Sequence, residues 1–195
     1  MKKRLILSGP IGCGKSTMIR NALGEAARNA GGYVTLRVLE QDRLLGFDLA
    51  PASVLAAPEA NLPRGRFLDF TQGRPVRDPA VFSGLGRKLL EEASACPYGV
   101  ADEFGGIELL IPEFREALES LLASQVPCIG VLKTQAASQS MVRHLDLEAD
   151  YGRAYEEFCQ KLYQDPDTEI LQTTGRYDDA ARHRVEAWVR EYVRK

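Results

Sequence analysis

Histidine is scarce in this 195-residue chain. There are only two, His144 and His183, and neither stands at a spacing that would complete a zinc site with the four cysteines. Those cysteines (Cys13, Cys96, Cys128 and Cys159) form no C-x-x-C pair and read as reduced, mostly buried thiols rather than a disulfide framework. No uninterrupted apolar run approaches ~18 residues, so no membrane span is expected. Met1-Lys2-Lys3-Arg4 is basic, but Leu5-Ile6-Leu7 breaks at Ser8-Gly9-Pro10, too early for a secretory leader, and the expected location is cytoplasmic. Charge of one sign is missing too. Twenty-five Lys and Arg against 27 Asp and Glu leave a net charge of -2, so no nucleic-acid partner is evident. The local basic cluster Arg182, Arg184, Arg190, Arg194 and Lys195 reads as the solvated end of a helix, where cations favour the dipole. Internal repeats and low-complexity segments are absent.

Apolar residues make up 45% of the chain, enough for a full core, and the length fits one domain spanning residues 1–195. Short apolar segments predict strands at Arg4–Leu7, Tyr98–Glu103, Cys128–Leu132 and Glu169–Thr173. Between them, helical patterning predicts helices at 15–29 (stopped by Gly31-Gly32), from Asp78-Pro79 to about Ala95, from Pro112 to about Ser124, at 150–163 and from Tyr177 to Val193. Tyr33–Leu39 and Leu44–Leu49 flank the polar turn Glu40–Arg43 and predict a β-hairpin. Residues 50–78 are loop-rich, with one strand expected at Arg66–Phe70. Strands alternating with helices imply an α/β, three-layer fold with a mostly parallel central sheet and the antiparallel hairpin at one edge.

The motif that carries chemistry is Gly9-Pro10-Ile11-Gly12-Cys13-Gly14-Lys15-Ser16-Thr17, a full match to G-x-x-x-x-G-K-[ST] between a predicted strand and a predicted helix. Glycines let the backbone approach phosphate oxygens, and the loop amides and helix N-terminus form an anion nest. Lys15 is placed to reach the β- and γ-phosphates of a nucleoside triphosphate such as ATP, and Ser16 to give a hydroxyl to Mg²⁺. Asp102-Glu103, at the end of an apolar strand, has two readings: two solvated acids at a surface strand end or, favoured behind a full P-loop motif, a magnesium-holding Asp and a Glu able to orient and deprotonate the attacking water. Thr134, after the strand Cys128–Leu132, has two readings: a partner of the γ-phosphate or lytic water, or a plain strand exit. Arg37, Arg43 and Arg176 are candidate cations for the γ-phosphate, each with the alternative of a surface arginine.

Asp102-Glu103-Phe104-Gly105-Gly106-Ile107-Glu108-Leu109 resembles the D-E-I-G-x-M-E-L signature of the THEP1-type nucleoside-triphosphatases. Gly32-Tyr33-Val34-Thr35, Arg37, Arg43 and Gly46-Phe47 are similar to that family's hairpin block, and Pro112-Glu113-Phe114 fits the helix after the acidic motif. The resemblance covers most of residues 1–134, while 135–170 match poorly and Thr174-Gly175-Arg176 only loosely fits an Asn-Arg pair. It implies a Mg²⁺-dependent P-loop hydrolase of nucleoside triphosphates with broad base tolerance. Glu103 would then be the general base and Asp102 the magnesium residue, with Glu108 either shaping the site or capping a helix. Two alternatives remain. A nucleotide or small-molecule kinase would use Asn61–Arg77, with Arg64, Arg66, Arg74 and Arg77, as lid or acceptor loop. A nucleotide-dependent switch would use Tyr151, Tyr155, Phe158, Leu162 and Tyr163 as a partner surface, although their helical spacing favours core packing. No N-K-x-D motif points to guanine.

Overall fold

The computed structural model describes the whole chain except residues 145–146, 176–177 and 194–195 and the side chains of Ser140, Met141, His144 and Glu148. Arg176, Tyr177, Arg194 and Lys195, named above, lie outside the described residues. In β1 (Arg4–Ser8) all five residues are buried, as a strand covered on both faces requires. Leu5 and Leu7 join one core and Ile6 the other. The other strands are β2 (Ala30–Glu40), β3 (Arg43–Pro51), β4 (Gly65–Asp69), β5 (Val76–Arg77), β6 (Tyr98–Phe104), β7 (Cys128–Leu132) and β8 (Thr168–Gln172). They form one eight-stranded sheet in the order β5-β4-β3-β2-β6-β7-β1-β8. From the first half of β2 through β8 the pairing is parallel, and from β2 to β5 it is an antiparallel meander.

Helices cover both faces. On one side α1 (Lys15–Leu23) and α6 (Asp179–Tyr192) enclose Leu5, Leu7, Ile19, Val131, Val185 and Trp188. On the other, α2 (Arg87–Glu92), α3 (Pro112–Ala123) and α5 (Glu148–Gln164) enclose Ile6, Tyr33, Phe104, Phe114, Leu118 and Phe158. The three-layer α/β architecture is the expected one. Between β7 and α5 lies α4 (Gln135–His144), which the sequence reading did not anticipate. At the bottom of β1, buried Arg4 donates to Asp165 Oδ2 at 2.7 Å and to Ser124 O at 3.1 Å, which holds the Asp165 carboxyl down at about 2.

Several expected boundaries move, for steric reasons. α1 ends at Gly24 (φ 51°), and Gly31-Gly32 do not stop a helix but lie inside β2. A methyl on Gly31 would stand 2.5 Å from Ala93 Cα and 2.8 Å from Cys96 Sγ, so the glycine lets the strand press against the end of the helical segment above it. That segment runs from Ala80 to Ala95 with a π-turn at Phe82–Gly86, begun by Asp78 Oδ1 accepting from Ala80 N at 3.0 Å. The hairpin turns on Gln41-Asp42, both left-handed (φ 48° and 64°), the geometry of a two-residue primed turn without the usual glycine. The edge carries β4 and β5 beyond the expected hairpin.

We expect Gly31→Ala to cost ~1–3 kcal/mol through overpacking. Gly152→Ala, inside α5 with open space at its Cβ position, should gain about 0.5–1 kcal/mol. Urea-unfolding midpoints of the two variants should move in opposite directions.

Candidate active site

The loop between Ser8 and Lys15 is shaped by its glycines. Gly12 (φ 75°) and Gly14 (φ 91°) are left-handed, and a methyl on Gly9 would collide with Thr173 O and Oγ1. Gly14 precedes α1, where no side chain caps the N-terminus among the described residues. Lys15 is buried and donates to Gly9 O at 2.9 Å and Pro10 O at 2.7 Å. Cys13 is buried with Sγ 3.1 Å from Thr173 Oγ1, and Thr173 N donates to Ser8 O at 2.8 Å. The tip of β8 thus buttresses the loop. Thr173 carried no motif and was not legible in sequence as a contributor.

The acidic pair sits on a bulge. Ala101 pairs with Gly130 and Phe104 with Leu132, so Asp102 and Glu103 together stand opposite Val131 alone. Glu103 takes a left-handed backbone (φ 65°), unusual for a residue with a side chain. The strand therefore does not end at the two acids, as sequence suggested, but runs on to Phe104. The bulge gives each acid its own task. Asp102 Oδ1 accepts from Ser16 Oγ at 2.8 Å, and Glu103 Oε2 lies 3.7 Å from Lys133 Nζ. Burial first, and then the adjacent Glu103 charge, push the Asp102 carboxyl up to about 7 against the pull of Ser16, Lys133 and Arg20.

The turn after the pair is held from three directions. Buried Glu108 accepts from Gly106 N through Oε1 at 2.6 Å, Tyr151 Oη donates to Gly105 O at 2.8 Å, and Tyr155 Oη donates to Lys133 O at 3.0 Å. Glu108 thus braces its own turn. The spacing 151, 155, 158 and 162 is core packing as favoured, with Tyr155 half-buried. Two of its members also tie α5 to the acidic turn, which hydrophobic periodicity does not reveal. Thr134 Oγ1 accepts from Ala137 N at 3.3 Å at the start of α4. The Tyr33 hydroxyl is buried without a hydrogen-bond partner among the described residues. Burial, followed by the Glu108, Asp102 and Glu103 charges, holds its pKa well above the ordinary value.

These parts line a cleft of about 630 Å³, which includes Lys15, Ser16, Glu103, Glu108, Lys133 and Thr134. Among the candidate arginines, Arg37 reaches it and Arg43, exposed at the hairpin tip, is not among its lining residues. Arg20 and Arg77 line it instead. Of the other arginines in the expected lid stretch, Arg66 is paired with Asp48 and Arg64 donates to Pro58 O at 2.9 Å. The described residues contain no cluster of three or more His, Cys, Asp or Glu that would hold a metal by protein ligands alone, and no helix long and apolar enough to cross a membrane.

Sheet order, loop and acidic strand define the P-loop NTPase fold. Two solved structures share it. THEP1 from Aquifex aeolicus aligns at a TM-score of 0.63 with 17% identity, covering 93% of this chain and 96% of that one. The human cancer-related nucleoside triphosphatase aligns at 0.61 with 18% identity, covering 96% and 97%. Nucleoside-triphosphatase THEP1 of Thermotoga maritima is 27% identical over 135 residues, 67% of this chain and 74% of that protein. The cancer-related nucleoside-triphosphatase homolog of Bos taurus is 30% identical over 146 residues, 69% and 75% respectively. The NTPase family model matches residues 4–175, and the chain belongs to that family. The match runs through 135–170, where the motif resemblance was poor.

Two outcomes follow from the bulge. The fold favours neutral Asp102, so the stability this group contributes is complete below its ordinary pKa of 3.8 and is lost as pH rises through about 7. In chelator, the melting temperature should fall across that window, and Asp102→Asn should flatten the fall. Glu103→Gly, which removes the left-handed strain, should gain about 1 kcal/mol in urea unfolding over Glu103→Gln, which removes only the charge.

Proposed function

We propose that this chain hydrolyses nucleoside triphosphates to diphosphate and phosphate with Mg²⁺ at the cleft between the Gly9–Thr17 loop and β6. The observation that carries this reading is the 2.8 Å contact of Ser16 Oγ with Asp102 Oδ1, which brings the loop hydroxyl and the first acid of the bulge to one point. The donor set suits magnesium, which takes one or two protein oxygens and completes its shell with water and substrate phosphates. Ser16 and Asp102 would hold it. A carboxyl kept near neutrality by burial and by a neighbouring Glu is also one that gains from a divalent partner. When bound, the ion supplies charge neutralisation at the β- and γ-oxygens.

The chain's own groups do the rest. Backbone N–H groups of the Gly9–Thr17 loop, from Ile11, Gly12, Cys13, Gly14, Lys15, Ser16 and Thr17, cradle the phosphates, Gly9 and Pro10 shape the entry to the loop, and Lys15 exchanges its two loop carbonyls for β- and γ-oxygens. Glu103 accepts a proton from the water that attacks the γ-phosphorus, the β–γ bridging bond breaks, and the diphosphate leaves on the opposite side. Lys133, with Nζ 3.7 Å from Glu103 Oε2, orients that carboxylate. The left-handed backbone at Glu103 supports the assignment, since strain of this kind collects where a side chain must be aimed.

Phosphate release from a panel of triphosphates, with and without Mg²⁺ and with and without nucleoside monophosphates, tests the proposal. We expect release without any acceptor. Glu103→Gln should keep nucleotide binding and lower the rate by about 100-fold or more, and Lys15→Ala should lose binding. Full activity in Glu103→Gln would remove Glu103 as the base. Phosphate appearing only on an added monophosphate would make the chain a kinase.

A further inference from the structure

The cleft does not stop at the acidic pair. It continues across β2 onto the meander, where the registers Arg37↔Phe47, Phe47↔Leu68 and Leu68↔Arg77 place four residues in one cross-strand row. Directly paired residues share a face of the sheet, so the row presents arginine, phenylalanine, leucine and arginine to the same space, over ~14 Å at the usual strand spacing. A bulge in β4 adds to it. Asp48 pairs with Arg66 and Phe47 with Leu68, which leaves Phe67 unpaired, and its ring stacks on Phe47 at 6.2 Å and 29°. Phe67 lies 4.9 Å from Phe82, Phe82 5.0 Å from Phe114, and Phe114 5.5 Å from Tyr33. This aromatic wall is rooted in the core.

Its charges are uncommitted. Arg66, next to the row, is paired with Asp48 and Asp69, but neither Arg37 nor Arg77 makes an ion pair among the described residues. Arg77 is half-buried, and burial lowers its pKa against the opposing pull of the Glu108 charge. A partly desolvated guanidinium at the rim of an aromatic surface suits a flat anion, through charge, hydrogen bonds and stacking together.

Direction separates this end from the nucleotide. With the triphosphate on the Gly9–Thr17 loop, as in the function proposed above, in-line displacement puts the diphosphate, with its ribose and base, on the side of the γ-phosphorus away from Glu103. The row, which begins on β2, lies on the side of Glu103, beyond β7 and β6 from the loop.

We propose that Arg37, Phe47, Phe67, Leu68, Arg77 and Phe82 form a second ligand subsite, for a small flat aromatic anion that binds together with the nucleoside triphosphate. The test is a fluorescence titration with 8-anilinonaphthalene-1-sulfonate, an aromatic anion, on folded protein alone, with the magnesium complex of a non-hydrolysable ATP analogue, and with magnesium tripolyphosphate. We expect one saturable site per chain, with affinity kept in the presence of both, and weakened about tenfold by Arg77→Gln and by Arg37→Gln. Circular dichroism and melting temperature verify that these variants are folded. Displacement of the dye by the analogue overturns the proposal, and displacement by the analogue but not by tripolyphosphate assigns the row to the nucleobase instead. Unchanged affinity in both arginine variants, or no saturable binding, also overturns it. Phosphate release by the unaltered chain is scored separately, so failure of the hydrolase reading and failure of the subsite are told apart.

Discussion

In β6, two residues stand where the neighbouring strand offers one. The extra residue forces Glu103 into a left-handed backbone and lets Asp102 turn to Ser16 while Glu103 turns to Lys133. In a regular strand, successive side chains point to opposite faces and only one acid of the pair would reach the cleft. At the bulge Glu103 lines the cleft and Asp102 meets Ser16, which also lines it, so the chemistry proposed for this chain has both acids at hand. Much of the surrounding structure can be understood as holding that bulge in place. Glu108 closes the turn behind it, Tyr151 ties its carbonyl to α5, and Tyr155 ties the Lys133 backbone to the same helix.

The Gly9–Thr17 loop depends on a comparable brace from the other direction. Gly9 lies against Thr173, and Cys13 touches the same threonine, so the loop is shaped by a residue about 160 positions away as well as by its own glycines. Both braces come from the second half of the chain, Glu108, Tyr151 and Tyr155 behind the acidic turn and Thr173 behind the loop. A sensitive site is thereby set between rigid elements, the arrangement that keeps catalytic geometry tight.

The loop, the acidic pair and the strand-helix alternation were legible in sequence because each rests on local residue types: glycines before Lys15-Ser16, acids closing an apolar run, apolar stretches of strand length. What was illegible rests on contacts between distant residues. Gly31-Gly32 read as a helix stop because glycine signals a break locally, whereas its use here is close approach to Ala93, a fact of packing. The bulge leaves no trace in composition. The tyrosines of α5 showed their helical period but not the bonds of their hydroxyls. Arg77 drew notice only as one of four arginines in a loop-rich stretch. Its separation from Arg66 comes from register, since Arg66 meets Asp48 and Arg77 meets the cleft. Arg43 sat in a block resembling the family yet ended at a hairpin tip, because a turn of only Gln41-Asp42 lifts it away.

The strand order also says when the molecule can become itself. β1 precedes both of its neighbours in the sheet, β7 and β8, which pair with it at Arg4↔Cys128 and Arg4↔Thr168. The strand that launches the Gly9–Thr17 loop must wait for more than a hundred further residues before either flank exists. Contacts of such long range form slowly and late. A nascent chain halted before β7 would carry the whole Gly9–Thr17 motif with neither of the strands that flank β1, so on the ribosome this pocket matures only once β7 and β8 have followed.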